Sequence, residues 1–354
     1  MRLHWMLTAA AVTSLGVVTD AHAQKHSNPV VDLLAAKQPV FGLYAPANPR
    51  VRPAGAPGGT AGGAPGGAPA GAATGTVAGS TIVRPAAPPA APKTQAQLAA
   101  DALAYKFVDY IFDGTMEGNF DAAYPVFSEF VQGMGPGTMA SGPQKRFSHP
   151  LFVKTPQIGT DVAKASERIH KQLNLGVAGV VLVDVESADE VKAGLAAMRF
   201  KSKGGNRPDD VGDAPKRWGM TAAEYKEKAD VWPLNPKGEL VNFTIVESKE
   251  GLAKIREIAA VPGVGVLLPG AGTLRGVFST TDSAGRRVTD EKAWEAAIQS
   301  VLAACKEFNV ACGYPANERD IETRMKQGFS VFVIGWGENG FKAIDIGKGV
   351  AGRK

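Results

Sequence analysis

From residue 95 onward the chain alternates two patterns of apolar positions: short continuous runs, and longer segments with apolar residues at helical spacing. The short runs predict strands at Phe107–Phe112, Leu151–Lys154, Gly179–Asp184, Val241–Val246, Val264–Leu268, Val310–Tyr314 and Ser330–Gly335. The spaced segments predict helices at Gln95–Tyr105, Phe120–Val131, Val162–Leu175, Ala188–Met198, Lys249–Ala260, Glu291–Phe308 and Ala316–Gln327. Thr94, Ser187, Ser248, and Thr289 or Asp290, stand where helix caps belong. The long polar segment Lys201–Lys237 holds one helix, Thr221–Ala229, and Phe341–Gly347 makes a short last one. Upstream, Val30–Ala36 reads as helix and Pro39–Tyr44 as an apolar strand. The count is eight strands, seven of them followed by helices, which suggests a (β/α)8 barrel from about Asn28 to the C-terminus. An open doubly wound sheet is the alternative.

Two segments break the alternation. Residues 1–23 have the signal-peptide pattern: Arg2, an apolar stretch Trp5–Val18, and Ala21-His22-Ala23 before Gln24. The apolar stretch is short for a membrane anchor. An exported protein, periplasmic or secreted, is therefore expected. Residues 24–46 then start the barrel domain with its first strand. Residues 47–92 are Pro, Gly and Ala-rich with almost no large apolar side chain, so disorder is expected. This segment is either an insertion in the first βα connection or a plain linker. Residues 93–354 complete the barrel domain.

The net charge of +5 is scattered, with no dense basic run, so nothing supports a nucleic-acid partner. No stretch after the leader is apolar and long enough to span a membrane. Cys305 and Cys312 are the only two cysteines. Export permits a disulfide. A helical and a strand position separated by a turn favour two buried free thiols instead.

The chain is organised around Val241–Ser279. A buried strand ends on Glu247, a helix capped by Ser248 ends at Val261-Pro262-Gly263, and a second strand enters the tight loop Pro269-Gly270-Ala271-Gly272. A βαβ unit this short makes a parallel pair, so Glu247 and the loop sit at carboxyl ends of strands. The stretch resembles the HpcH/HpaI aldolase and citrate lyase family, whose pattern is Val-Glu-Ser, a helix ending Val-Pro-Gly-Val, and a strand entering Gly-Pro-Ala-Asp-Leu. The resemblance covers most of the chain outside the N-terminal Pro/Gly-rich part. It implies a barrel of the phosphoenolpyruvate/pyruvate-binding type, with C-terminal helices packed between subunits of a homo-oligomer.

The resemblance also implies a site. Glu247 matches a metal-binding Glu, and the cation implied is Mg²⁺ or Mn²⁺, with Co²⁺ as a further choice. A salt bridge to Lys or Arg is the alternative fate for Glu247. The family's second metal carboxylate falls on Gly272, and its Gly-Pro pair is reversed as Pro269-Gly270. Lys154, in Val153-Lys154-Thr155-Pro156, stands where the family has a substrate-binding Arg; Lys keeps the charge and loses the bidentate fork. The family's base is a His in Asp-Gly-Glu-His, and here Met116 follows Asp113-Gly114-Thr115 at that position. Glu117 is the candidate base, with His149 a weaker one. The residues Pro269, Gly270, Ala271 and Gly272 are expected to offer backbone N–H groups to a substrate carboxylate. Tyr44, Asp113, Asp184, Tyr314 and Trp336 are the remaining strand-end positions, and Asp184, Asp113 and Glu117 are candidates for a second metal carboxylate.

The expected activity is that of a carbon–carbon lyase, an aldehyde-lyase or oxo-acid-lyase. It would cleave 2-oxo or 4-hydroxy-2-oxo acids through an enolate stabilised by a divalent metal. The competing expectation is a repurposed, non-catalytic exported barrel that binds a small oxo acid.

Overall fold

Parallel pairing runs without interruption around eight short strands and closes on itself. In the computed structural model, which describes residues 26–48, 91–135 and 146–353, these strands are β1 (Val40–Tyr44), β2 (Tyr110–Asp113), β3 (Leu151–Thr155), β4 (Gly179–Leu182), β5 (Leu240–Val246), β6 (Val266–Pro269), β7 (Ala311–Ala316) and β8 (Val331–Ile334). β1 pairs with both β2 and β8, which closes the barrel. The open-sheet alternative is thereby excluded. Helices follow each strand on the outside, as right-handed crossovers require. The expected signal segment, and residues 49–90 of the expected insertion, lie outside the described residues.

The barrel is a packed core. Tyr110, Phe152 and Phe243 meet inside it, with ring centroids 4.8–5.6 Å apart. Neighbouring strands supply glycine where these rings need room. A Cβ at Gly42 would lie 2.1 Å from the Tyr110 ring, and one at Gly179 would lie 2.2 Å from the Phe152 ring. The Tyr110 hydroxyl donates to the Phe332 carbonyl at 2.9 Å, so its polar tip is satisfied in the core.

The amino end of the barrel is sealed by chain segments. Glu239, 2% exposed, accepts from the backbone N–H groups of Ser27 and Asn28 at 2.8 Å each. Arg353 forms a paired contact with Asp109, which ties down the C-terminal tail. The carboxyl end is left for a site. There the connection from β1 to the helix Gln95–Ala104 departs and returns at one point: the Asn48 side chain donates to the Lys93 carbonyl (2.8 Å) and accepts from the Lys93 N–H (2.7 Å). β1 is a barrel strand, so these residues bracket the chain between β1 and the helix Gln95–Ala104.

Several elements differ from expectation. The helix expected over Lys249–Ala260 is two, Lys249–Ala253 and Ile255–Ala259, interrupted at Lys254. The last helix is a full Glu338–Val350, packed on β1 and β8, so the chain covers this seam itself. The polar segment after residue 200 carries short helices at Ala214–Arg217 and Ala222–Lys228, and a hairpin pairs Ser279–Thr281 with Arg287–Thr289. Cys305 and Cys312 form a disulfide with Cα atoms 5.6 Å apart, a span that a bridge accepts. The two free thiols expected are not present. Cys305 occupies the last turn of its helix, Glu291–Glu307, and Asn309 at φ 53° reverses the chain so that β7 starts beside it. Among the described residues no helix is long and apolar enough to cross a membrane.

Candidate active site at the barrel mouth

Strand parity decides which side chains reach the mouth. With Gly42, Tyr110, Phe152 and Phe243 inside, the period of two sends Tyr44, Phe112, Lys154 and Glu247 inward at the carboxyl end. Tyr44, Lys154 and Glu247 come from β1, β3 and the end of β5, the alternate strands that build one layer of such a barrel. A Cβ at Gly114 would lie 3.5 Å from the Lys154 stem and 3.6 Å from the Tyr44 ring, so these three residues adjoin.

Lys154 and Glu117 meet. The Lys154 ammonium lies 2.8 Å from the Glu117 carboxylate, with 13% of the lysine side chain exposed. The connection after β2 makes this possible: Asp113 accepts from the Thr115 N–H and hydroxyl, and the Glu117 N–H reaches the Gly114 carbonyl at 3.3 Å. This tight turn drives Met116 inward, fully buried, where the Gln172 amide lies 3.7 Å from its sulfur. The same amide donates to the Lys154 carbonyl at 2.9 Å and fixes the strand end. Burial pushes the Asp113 carboxyl up in spite of its Thr115 bonds.

Glu247 is 7% exposed, and among the described residues no Lys, Arg or His pairs with it and no donor bonds it. The salt-bridge alternative therefore finds no partner there. The Glu247 carboxylate oxygens, unlike the rest of the side chain, still reach solvent. Its charge is felt by neighbours: Tyr44 is pushed well above the usual phenol range, first by burial and then by Glu117, Glu247 and Asp113. Asp184 is pushed up to about 6, first by burial and then by Glu247, with smaller contributions from Glu186, Glu190 and Glu250. Asp184 sits just past β4 in a left-handed conformation, φ 47°, and the Gln157 amide donates to its carboxylate at 3.1 Å. Strained conformations of this kind gather at functional sites.

The expected loop at Pro269–Gly272 is not a loop. Pro269 ends β6, and Ala271 opens the helix Ala271–Val277. Pro269 has no N–H, and the Gly270 N–H is spent on the Val246 carbonyl at 2.8 Å. Neither can serve a substrate carboxylate, so that expectation holds at most for Ala271 and Gly272. Gly270 instead makes room for Glu247: a Cβ there would lie 2.4 Å from the Glu247 Cβ.

Other candidates lie elsewhere. His149 precedes β3 at the amino end, bonded to Ser148 and the Tyr105 carbonyl. It takes no part at the mouth, and burial lowers its pKa. Tyr314 faces outward beneath the Arg324 guanidinium, 4.4 Å from its ring. Trp336 joins an aromatic cluster with Tyr105 and Phe341. Gln157 was missed, because a glutamine past a strand end carries no signal in sequence.

The HpcH/HpaI aldolase/citrate lyase family pattern matches residues 146–345. The chain belongs to this family. An HpcH/HpaI aldolase/citrate lyase family protein from Burkholderia cenocepacia J2315 superposes with a TM-score of 0.56 at 17% identity, covering 87% of this chain and 92% of that one. An HpcH/HpaI aldolase from Desulfitobacterium hafniense DCB-2 gives 0.55 at 14% identity, covering 90% and 94%. At these identities the likeness is one of fold. A comparison with curated proteins gives no match.

Proposed function

We propose that this protein is a carbon–carbon lyase that cleaves 4-hydroxy-2-oxo acids, releasing pyruvate or another 2-oxo acid and an aldehyde. The observation that carries the reading is the buried Glu247, unpaired among the described residues, in one inward layer with the Lys154–Glu117 ion pair. Acidic side chains beside a lysine at the barrel mouth suit a hard divalent cation, Mg²⁺ or Mn²⁺, together with an anionic substrate. Glu247 fits as a ligand: its carboxylate is free of protein partners among the described residues, and Gly270 gives it space. When bound, the cation would stabilise the negative charge that develops on the 2-oxo group.

The protein's own residues supply the rest. Lys154 binds the substrate carboxylate as a point charge. Glu117, held by Lys154, accepts the proton of the 4-hydroxyl as the C3–C4 bond breaks; the bond electrons move toward the 2-oxo carbonyl and the C4 carbon leaves as aldehyde. Tyr44, kept as a neutral phenol first by burial and then by its acidic neighbours, stands ready as a hydrogen-bond donor in the same layer.

Release of pyruvate is to be measured on a panel of 4-hydroxy-2-oxo acids with Mg²⁺, Mn²⁺ or Co²⁺. Turnover with any pair supports the lyase. Absence of turnover with every pair, alongside thermal stabilisation by a 2-oxo acid, would establish the competing function of an oxo-acid-binding barrel. The buried Met116 in place of a base is what keeps that second reading in play. Export is part of the proposal: the leader pattern of residues 1–23 and the Cys305–Cys312 bridge both suit an oxidising compartment. A homo-oligomer follows from the family resemblance, and sedimentation would measure it.

A further inference from the structure

We propose, resting on the lyase reading above, that the Tyr44 hydroxyl at the end of β1 is the hydrogen-bond donor to the substrate's C4 oxygen, the atom from which Glu117 takes the proton. Tyr44 lies two steps along β1 from Gly42, whose Cβ place is filled by the Tyr110 ring, so it points into the barrel mouth. Its ring stands edge-on to the Phe112 ring, with centroids 4.9 Å apart, and this contact holds it in place. The turn at Gly114 sets it beside Lys154: a Cβ there would touch the Tyr44 ring at 3.6 Å and the Lys154 stem at 3.5 Å. Lys154 in turn holds the Glu117 carboxylate at 2.8 Å. Tyr44, Lys154 and Glu117 therefore form one run of neighbours across the mouth.

The hydroxyl itself is the second, independent observation. It has no hydrogen-bond partner among the described residues, and unlike the enclosed Tyr105 hydroxyl it opens to solvent. Neighbouring donors are spent. The Thr115 hydroxyl donates to Asp113, the Gln157 amide donates to Asp184, and the Lys154 ammonium is paired with Glu117. Met116 is buried with its thioether against Gln172 and has no proton to give. Burial, then the charges of Glu117, Glu247 and Asp113, hold the proton on Tyr44, so this phenol donates and does not act as a base. As Glu117 takes the proton of the C4 hydroxyl, negative charge gathers on that oxygen beside acidic groups, and a neutral donor offsets it without adding charge. The C3–C4 electrons then move to the 2-oxo group, the C4 oxygen leaves as the aldehyde carbonyl, and Tyr44 keeps its own proton throughout.

The test uses the full chain with Mn²⁺ and compares wild type with Tyr44→Phe, which keeps the ring and loses only the hydroxyl; melting temperature checks folding. Two reactions are read: cleavage of a 4-hydroxy-2-oxo acid, and exchange of the pyruvate methyl hydrogens in D₂O, which passes through the same enolate and involves no C4 oxygen. Tyr44→Phe should lower kcat for cleavage about 10–100-fold with KM changed no more than about threefold, and should slow exchange no more than about threefold. Equal kcat in the two proteins would overturn the role of Tyr44 and leave the lyase standing. Equal losses in cleavage and exchange would make Tyr44 a support of the pocket and overturn the proposal. Absence of both reactions in wild type would overturn the lyase reading and this role with it.

Discussion

Replacing Asp184 by Asn in metal-free protein should stabilise it at alkaline pH and leave it unchanged in acid. The carboxyl is pushed from 3.8 up to about 6 by burial and by the Glu247 charge. Each pKa unit is about 1.4 kcal/mol. The rise of roughly two units would cost about 3 kcal/mol for a fully buried group. Asp184 is only half-buried, and solvent screening leaves roughly 1 kcal/mol. The sign follows from linkage: the folded state holds the proton more tightly than the unfolded state, so ionisation opposes folding. The penalty is absent well below 3.8, grows between 3.8 and about 6, and is complete above that. Asn has the same shape, tolerates the left-handed backbone and carries no charge. In chelator at pH 8, Asp184→Asn should therefore melt about 2–4 °C above wild type. The gap should fall to about half near pH 5 and nearly vanish by pH 4. A variant no more stable than wild type at pH 8, or stabilised equally at pH 4, would refute the argument.

Other substitutions test other parts of the molecule. Gly179→Ala places a Cβ 2.2 Å from the Phe152 ring, and overpacking there should cost about 1–3 kcal/mol in urea unfolding. Reducing the Cys305–Cys312 bridge, or replacing both by Ser, should cost roughly 2–3 kcal/mol for so short a loop, read from denaturation with and without reductant. Lys154→Met should lower kcat/KM for an oxo-acid substrate about 10–100-fold, the worth of one charged hydrogen bond, while Lys154→Arg retains activity. Loss of folding in Lys154→Met, in place of lost binding, would show the lysine to be structural.

The barrel was legible because its signals are local and periodic. The run of Leu240–Val246 is buried on every residue, as a parallel strand demands, and caps such as Thr94 and Ser248 stand where the sequence placed them. The site was legible as a set of strand ends, which parity then sorted. Lys154 and Glu247 point inward, whereas Tyr314, one residue out of phase with Gly313, points to the outer helices. What escaped were contacts that depend on closure in three dimensions. The Glu117–Lys154 pair joins a connection to a strand 37 residues further on. The Gly270 N–H looked available until β5 and β6 were paired. The disulfide needed the reversal at Asn309, which no short-range pattern announces.

The central claim is that Glu247 holds the cation on which cleavage depends. It is tested most directly by pyruvate release from a cleavable 4-hydroxy-2-oxo acid, measured for wild type and Glu247→Gln with Mn²⁺ and again in chelator. Wild type with metal should turn over, and the other three conditions should fall to background while the variant stays folded. Equal rates for wild type and Glu247→Gln, or a wild-type rate that chelator leaves untouched, would contradict the account.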